Sequence, residues 1–592
     1  MAKWMLRQAA VNVGQLAEIW GINPVLTHVL AVRGFRAKED VDNFLFTADT
    51  QLPSPLILAD MPRALELVSR AIAEGRRIAI FGDYDADGVC STVIVYKTLL
   101  ALKANVIYYI PQRDNEGYGL NNAAILRLKQ RQVELIVACD NGVSAWEQVS
   151  YANSLGLEVV ILDHHDLPVN EAEEQLLVPA AAVVNAKRQD CPYPFKLYCA
   201  AGLCYRFSQA LYEYFGFDWS DLGQELLPFA ALATVCDLVE LTGENRNLVR
   251  RGLPAIADSR NRGLKALIAA TGLAGQGIGA YHVGFRLGPC INASGRLEDA
   301  ALAVELFLTE DEERATEMAL YLTGLNETRK ALTDQGTTKA LQTIESQGLH
   351  KDKIIVAYCP EIHESVAGII AGRLKEHYYK PIIVVTGDKQ TVRGSGRSIE
   401  PYHMYQALSA CHDLFINFGG HPMAAGFSIP LTNVPLLSER LNRECALTED
   451  DMQPLYRVDK LLPLSEVTLE LARELQSLEP YGKGNSPVYF ADRGVKLLKV
   501  SLLGANGQVL RLYLQSRGMK GQIEAVYFDG KEKLQELLQS KFGDHCWNNM
   551  LKGNQIDVNL DLLYTITVNC YQGRESAQAQ IVDFRIAQGD GA

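Results

Sequence analysis

Three clusters of acidic and imidazole side chains stand in the first third of the chain, each just after a stretch that reads as a strand. They are Asp83-Tyr84-Asp85-Ala86-Asp87-Gly88, Asp140-Asn141-Gly142 and Asp163-His164-His165. Carboxylates and imidazoles converging at one sheet edge are what a pair of divalent metal ions needs. Two cations can clamp the attacking and leaving oxygens of an in-line displacement, which points to phosphate chemistry. A calcium-loop reading of the first cluster fails: such a loop needs a glutamate about twelve residues along, and 89–102 contains none. Of the paired histidines, one suits a metal ligand oriented by a carboxylate. The other can donate to a phosphate oxygen or protonate a leaving group. A further acid, Asp237, sits alone in Ala233-Thr234-Val235-Cys236-Asp237-Leu238-Val239, where it reads equally well as a helix cap.

The elements that must position these residues alternate. Strands are expected over 78–81, 106–110, 135–138 and 158–162, and helices over 63–73, 89–102, 122–131 and 145–155. Alternating strands and helices imply an α/β fold, a parallel sheet covered on both faces. Such sheets bind ligands outside the carboxyl ends of their strands, where Asp83, Asp140 and Asp163 all fall. From 186 to 345 the pattern is helical, with a long connecting helix within 310–345. A second, smaller α/β unit follows, with strands over 354–358 and 381–385 and a helix over 365–376, ending near 429. Strands over 495–503, 509–515, 522–528, 556–567 and 579–586, with a helix near 531–539, suggest a C-terminal OB-like β-barrel. Asn506-Gly507 makes a hairpin turn between its first two strands. OB-folds commonly bind single strands of nucleic acid. The expected divisions are an N-terminal segment 1–60, domains 61–255 and 346–450 joined by a helical connector 256–345, and the barrel domain 451–592.

Two glycine-rich strips in the second unit have phosphate-gripping composition. Arg393-Gly394-Ser395-Gly396-Arg397-Ser398 offers guanidiniums, hydroxyls and bare backbone, without the ending of a Walker loop. Gly419-Gly420-His421-Pro422-Met423-Ala424-Ala425-Gly426 would let a nucleic-acid strand approach closely. Asn292-Ala293-Ser294-Gly295-Arg296 is a third phosphate-contact candidate.

The 592-residue chain carries a net charge of −13. That argues against adhesion to nucleic acid by the whole surface but leaves room for a local basic groove. The 12 cysteines form no CxxC pair, so neither a zinc ribbon nor a disulfide framework is expected. No apolar run suits a bilayer, and Met1-Ala2-Lys3-Trp4-Met5 lacks a signal-peptide core, so a cytoplasmic protein is expected.

The four successive motifs at Asp83–Gly88, Asp140–Gly142, Asp163–His165 and Asp237 resemble those of the DHH phosphoesterases. The strips at 393–398 and 419–421 resemble that family's associated C-terminal domain. Three more strips narrow the resemblance to the single-strand-specific DNA exonucleases of the family: 286–293, 363–371 and Glu479-Pro480-Tyr481-Gly482-Lys483-Gly484-Asn485. Ser365 is a mild departure, since relatives often carry glycine there. The resemblance implies that Asp85, Asp87, Asp140, His164 and Asp237 ligate two Mn²⁺ or Mg²⁺ ions, with Asp140 bridging. Asp83 is either a ligand or a support, Asp163 orients His164, and His165 faces the scissile phosphate. It implies DNA contacts from Arg286, Asn292, Arg296, His363, Arg393, Ser395, Arg397, Ser398, Gly419, Gly420 and His421. The implied activity releases mononucleotides from a 5′ end in DNA recombination and repair. Single-stranded DNA is the implied substrate, with a single-strand-binding protein and a repair helicase as partners of a monomer. The rivals are a phosphodiesterase of very short or cyclic nucleotides, a pyrophosphatase, and a non-catalytic scaffold. The barrel argues against the first two, and the full set of carboxylates against the third.

Overall fold

The computed structural model describes residues 2–46, 52–112, 116–170, 172–504, 507, 509–528, 530–554 and 557–587. The chain forms two units. One comprises Gln51–Met452 with Gly482–Asn485, the other Met1–Thr50, Gln453–Tyr481 and Ser486–Ala592. Strand β1 (Lys3–Leu6) belongs to the latter.

The larger unit begins on a five-stranded, all-parallel sheet of β2 (Arg77–Phe81), β3 (Asn105–Tyr109), β4 (Leu135–Cys139), β5 (Glu158–Leu162) and β6 (Ala182–Val184). The spatial order is β3-β2-β4-β5-β6. Its strands are continuous apolar runs because both faces are covered. Ile78, Ile80, Leu135, Val137, Val160 and Leu162 point into one core. Ala79, Phe81, Ile136, Ala138, Val159 and Ile161 point into the other. The first core is filled by helices that include α1 (Ala86–Ala101), α2 (Ala200–Tyr214) and α3 (Ser220–Cys236). The chain leaves β2 for β3 on one side and β4 on the other, so the switch point lies between β2 and β4. A crevice opens there at the carboxyl ends of such strands.

Two local readings change. Strand β6 has only three residues, too few for a recognisable pattern, and was not expected. Helix α1 begins three residues before the expected 89, so Asp87 stands in a helical turn rather than in a loop. Gly88 permits this: a Cβ there would lie 2.5 Å from the Asp83 backbone nitrogen.

Helix α4 (Gly288–Leu297) and the long helix α5 (Glu312–Ser346) lead to a second sheet. It contains β7 (Ile355–Tyr358), β8 (Ile382–Thr386), β9 (Thr391–Arg397), β10 (Asn417–His421) and β11 (Ala424–Pro430). The order is β10-β11-β9-β8-β7, with only β7 and β8 parallel. Helix α6 (Glu364–Tyr378), joined by α5, packs Val366, Ile370 and Leu374 on one face, against Ile355, Ile382 and Val384. The first glycine-rich strip therefore lies mostly in β9, and the second forms the β10–β11 hairpin with its turn at Pro422-Met423.

The smaller unit is built around a closed β-sheet. Strands β14 (Phe490–Leu503), β15 (Val509–Gln515), β16 (Ile523–Tyr527), β17 (Asn559–Tyr571) and β18 (Arg574–Ile586) follow β12 (Leu455–Val458) and β13 (Lys460–Leu461). Pairing of β14 with both β15 and β17 closes the barrel expected from the sequence. Two helices, Lys531–Phe542 and His545–Lys552, replace the single one expected. Of the expected hairpin turn, Asn506 lies outside the described residues, and Gly507 has a positive φ of 60°. The N-terminal residues, which had no clear pattern, join this unit. β1 pairs in parallel with β12, and Trp20, Leu26, Val29 and Leu30 share a core with Leu510, Leu512 and Leu562. Arg33 and Asp459 seal the junction with a largely buried ion pair of 3.0 Å. No helix among the described residues is long and apolar enough to cross a membrane.

The Gly88 contact is testable. Gly88→Ala should push α1 away from Asp83, cost about 1–3 kcal/mol of stability through overpacking, and weaken Mn²⁺ binding. Thermal unfolding and metal titration would show both losses; a variant with unchanged melting and metal affinity would contradict the close approach.

Candidate metal centre

Each acid is fixed by a local device. Asp85 caps α1, its Oδ1 accepting from the backbone N–H of Asp87 at 2.9 Å and of Gly88 at 3.1 Å, the ordinary N-cap arrangement. Asp87 reaches across to the start of α2. Its two oxygens accept from Ala200 N at 2.8 Å and Ala201 N at 2.7 Å, so the positive end of a second helix also faces this carboxylate. Asp140 leaves β4 with φ of 65°, a left-handed conformation uncommon outside glycine and of a kind that clusters at functional sites. The Tyr118 hydroxyl donates to its carbonyl at 2.8 Å. The Asn141 amide ties the ends of β2 and β4 together, donating to Gly82 O at 3.2 Å and Cys139 O at 2.9 Å. Asp237 ends α3, and Leu238 after it also has a positive φ, of 58°.

These devices bring all the expected ligands together. Ligand atoms of Asp83, Asp85 and Asp140 lie within 4.8 Å of one another, as do those of Asp87, His164 and Asp237, and those of Asp140, His164 and His165. His164 Nε2 sits 3.3 Å from Asp140 Oδ1 and 3.7 Å from both Asp87 Oδ2 and Asp237 Oδ2. Asp140 and His164 thus each belong to two of the three groups.

Burial and mutual repulsion shift the acids of the cluster. Burial, then the Asp85 charge, raises the Asp87 carboxyl to about 7. Burial, then Asp87 and Asp85, raises Asp237 to about 8. Asp140 is driven well above the carboxylate range by burial and by all four neighbouring acids. Burial, then the charge of His165, lowers His164 to about 3, leaving it in the neutral form that binds metals.

Asp163 behaves oppositely and corrects one expectation. It holds His165, not His164: its Oδ1 lies 2.7 Å from His165 Nδ1 and accepts from the N–H groups of His164 and His165, while Oδ2 accepts from Val143 N at 3.1 Å. The reason is directional. The His164 ring is turned into the acid cluster, out of reach of a carboxylate that belongs to the strand end. Burial alone would raise Asp163, but the His165 hydrogen bond and charge outweigh it and hold the carboxyl at about 2. Burial alone would lower His165; the same hydrogen bond carries it up to about 9.

The second sheet sorts the expected DNA contacts by strand alternation. Opposite residues of neighbouring strands share a face, and the register pairs Arg393 with Ser428, Ser395 with Gly426, Arg397 with Ala424, Gly419 with Gly426 and His421 with Ala424. Arg393, Ser395, Arg397, Gly419 and His421 therefore lie on one face. Gly394 and Gly396 turn the other way; a Cβ at Gly394 would strike the Phe427 ring at 2.1 Å, so that glycine serves packing. Ser398 is buried, and its hydroxyl donates to Tyr402 O at 2.6 Å, which withdraws it from the surface. Gly420 belongs to the opposite face from Gly419 and His421.

The remaining candidates are engaged in structure. Asn292 Oδ1 accepts from Ala86 N at 2.7 Å and so braces the first acidic motif. Arg286 donates to Thr271 O at 2.8 Å. Arg296 donates to Ser365 O at 2.9 Å, tying α4 to α6. His363 caps α6, with Nδ1 2.7 Å from Ser365 Oγ. Arg393 pairs with Glu364 at 2.7 Å. Burial would raise the Asp166 carboxyl, but the Lys187 hydrogen bond of 2.9 Å and charge, with a lesser share from His421, lower it.

Known proteins resemble this chain over nearly its whole length. Residues 77–234 match the N-terminal domain of the DHH family, 351–447 the DHHA1 domain and 458–583 the RecJ OB domain. The chain is 34% identical over 584 residues to the single-stranded-DNA-specific exonuclease RecJ of Bacillus subtilis (strain 168), covering 98% of this chain and 70% of that one. The chain belongs to the RecJ family. The crystal structure of RecJ from Thermus thermophilus in complex with Mn²⁺ superposes with a TM-score of 0.79 at 28% identity, covering 99% of this chain and 80% of that one. The Mg²⁺ complex gives 0.75 at 27%, covering 99% and 79%.

The donors in this RecJ-family chain fit the same hard cations. Carboxylate oxygens with one or two imidazoles suit Mn²⁺ or Mg²⁺, and buried Asp140 Oδ1 has no hydrogen-bond donor, as befits an oxygen reserved for an ion. Sequence reasoning missed Tyr118 and the Ala200 and Ala201 N–H groups. The only signal for the latter was two small residues opening a helix far from any motif.

Raised carboxyls set the sign of two pH effects. The folded, metal-free protein keeps protons on Asp87 and Asp237 that the unfolded chain releases above 3.8. Its stability should therefore fall as pH rises toward about 8, and Mn²⁺ should restore it. Metal binding at pH 7 should release protons, and fewer at pH 9. Melting curves in EDTA and calorimetry in two buffers would measure both; proton uptake, or stability rising with pH in EDTA, would contradict the assignment.

Proposed function

We propose that this RecJ-family chain is a metal-dependent exonuclease specific for single-stranded DNA, digesting it from the 5′ end in recombination and repair. The observation that carries the reading is the gathering of Asp83, Asp85, Asp87, Asp140, His164 and Asp237 into overlapping groups whose ligand atoms lie within 4.8 Å of one another. Gly419 has nothing within 4 Å of where a Cβ would stand, so a sugar-phosphate backbone meets no side chain there. The relatives' names, single-stranded-DNA-specific exonuclease, support the substrate class. The reading extends to a cytoplasmic monomer acting with a single-strand-binding protein and a helicase.

In this proposal Asp83, Asp85 and Asp140 hold one divalent ion and Asp87, His164 and Asp237 a second, with Asp140 between them. Ions held there supply neutralisation of the phosphate charge and a more acidic attacking water. Asp163 keeps the His165 ring in place and charged, so that it can donate to a phosphate or leaving oxygen. Arg397 and Ser395 grip the terminal 5′-phosphate; arginine suits this because its fork donates two hydrogen bonds at once. The barrel, of a fold that commonly binds single strands, supplies a further DNA-binding surface of its own.

A length series of end-labelled strands with Mn²⁺ tests the whole reading. A 5′ label should appear at once as mononucleotide and a 3′ label as a descending ladder, with duplex spared; preference for dinucleotides would favour a small-substrate phosphodiesterase. His164→Ala should lower metal occupancy and turnover together. His165→Ala should lower turnover about 10²–10⁴-fold while metal still binds; equal metal loss in both variants would undo the division of roles. Arg397→Ala should shrink the rate advantage of a 5′-phosphate over a 5′-hydroxyl end. A uniform loss on both ends would make it a general backbone contact.

A further inference from the structure

The segment leading into α4 carries two aromatic side chains that take no part in holding the metal centre or the sheet face. Tyr281 and Phe285 are 66% and 65% exposed, an unusual degree for rings beside a packed core. They are one helical turn apart, and their rings stack with centroids 4.9 Å apart and planes inclined by 26°. The rings therefore form a short pile with an open end. Val283 and Leu287, between and after them, are buried and hold the segment down.

The backbone here is not an ordinary helix. Val283–Leu287 forms a π-helical turn between Ala280–His282 and α4. Such turns recur at functional sites because they re-aim side chains. The segment is anchored at the metal centre: Cys236, the neighbour of Asp237, packs on it with Sγ 4.0 Å from Val283 O. A Cβ at Gly288 would lie 2.3 Å from that sulfur. Leu238, on the other side of Asp237, is 70% exposed. Exposed apolar side chains thus stand on two contacting segments, one of which carries Asp237, and Arg286 follows Phe285 in the sequence.

We propose that Tyr281 and Phe285 form a base-stacking subsite for single-stranded DNA, on which one nucleobase extends the pile as the strand passes the metal centre. This rests on the exonuclease reading above. Stacking suits a non-specific single-strand enzyme because every base presents a π-face, and a duplex cannot offer an unstacked one.

The test uses the full-length chain in the Asp140→Asn background, with fluorescein-labelled oligothymidylates in which one abasic residue is moved stepwise along the strand. Affinity should drop when the abasic residue reaches one particular position. Phe285→Leu, which keeps apolar bulk but removes the ring, and Tyr281→Ala should each weaken binding of the intact strand by about 5–100-fold. Both should abolish the sensitivity at that position alone. Tyr281→Phe should behave as the parent, which guards against misfolding as the cause. A flat abasic profile in the parent, or a loss in Phe285→Leu that leaves the profile intact, would overturn the subsite. If Phe285→Leu binds as the parent does, the pair is an apolar contact for protein rather than a stacking surface. Failure of the exonuclease reading is separately visible, since the chain with Asp140 intact would then leave single strands uncut.

Discussion

The structure depends on holding several carboxylates closer together than their charges allow. Asp83, Asp87 and Asp140 are all nearly excluded from solvent, and Asp85 and Asp237 crowd them from the crevice side. Water cannot screen such a group, so without cations it must take up protons, as the raised Asp87, Asp140 and Asp237 carboxyls do. A protein sustains this arrangement only where positive charge will be brought in from outside. The rest of the fold is the means of forcing the acids together, with buried Asp140 Oδ1 left without a hydrogen-bond donor.

Those means are mostly backbone dipoles rather than basic side chains. Asp85 and Asp87 are held by N–H groups at the starts of α1 and α2, which stabilise negative charge without competing for the face an ion would occupy. Asp140 is turned into place by a left-handed backbone, and Asn292 reaches from α4 to fix the loop before α1. The outer residues are treated differently. Asp163 is saturated with donors and stays ionised, which makes it a clamp for His165 rather than a ligand. One strand end thus yields two environments in adjacent residues, a neutral His164 inside the cluster and a charged His165 at its rim.

Much of this was legible in the sequence because parallel α/β sheets send their ligands to strand ends. Asp83, Asp140 and Asp163 could be placed from apolar runs alone, and the glycine strips could be recognised as phosphate-like in composition. Their geometry could not, because composition hides alternation: Arg393, Ser395 and Arg397 were grouped with Ser398, which the strand turns inward. The choice between His164 and His165 as the partner of Asp163 depends on ring direction, which adjacent residues do not reveal. The N-terminal residues gave no signal because their partner strand β12 lies at the far end of the chain. The stack of Tyr281 and Phe285 depends on a π-helical turn that no periodicity announces.

The central claim is that Asp140 joins two metal positions into one site. Electron paramagnetic resonance of the protein loaded with two equivalents of Mn²⁺ tests it without any substrate. A bridging Asp140 predicts a spin-coupled spectrum that collapses to that of isolated ions in Asp140→Ala. Two uncoupled Mn²⁺ signals in the unaltered protein, or coupling that survives loss of Asp140, would contradict it.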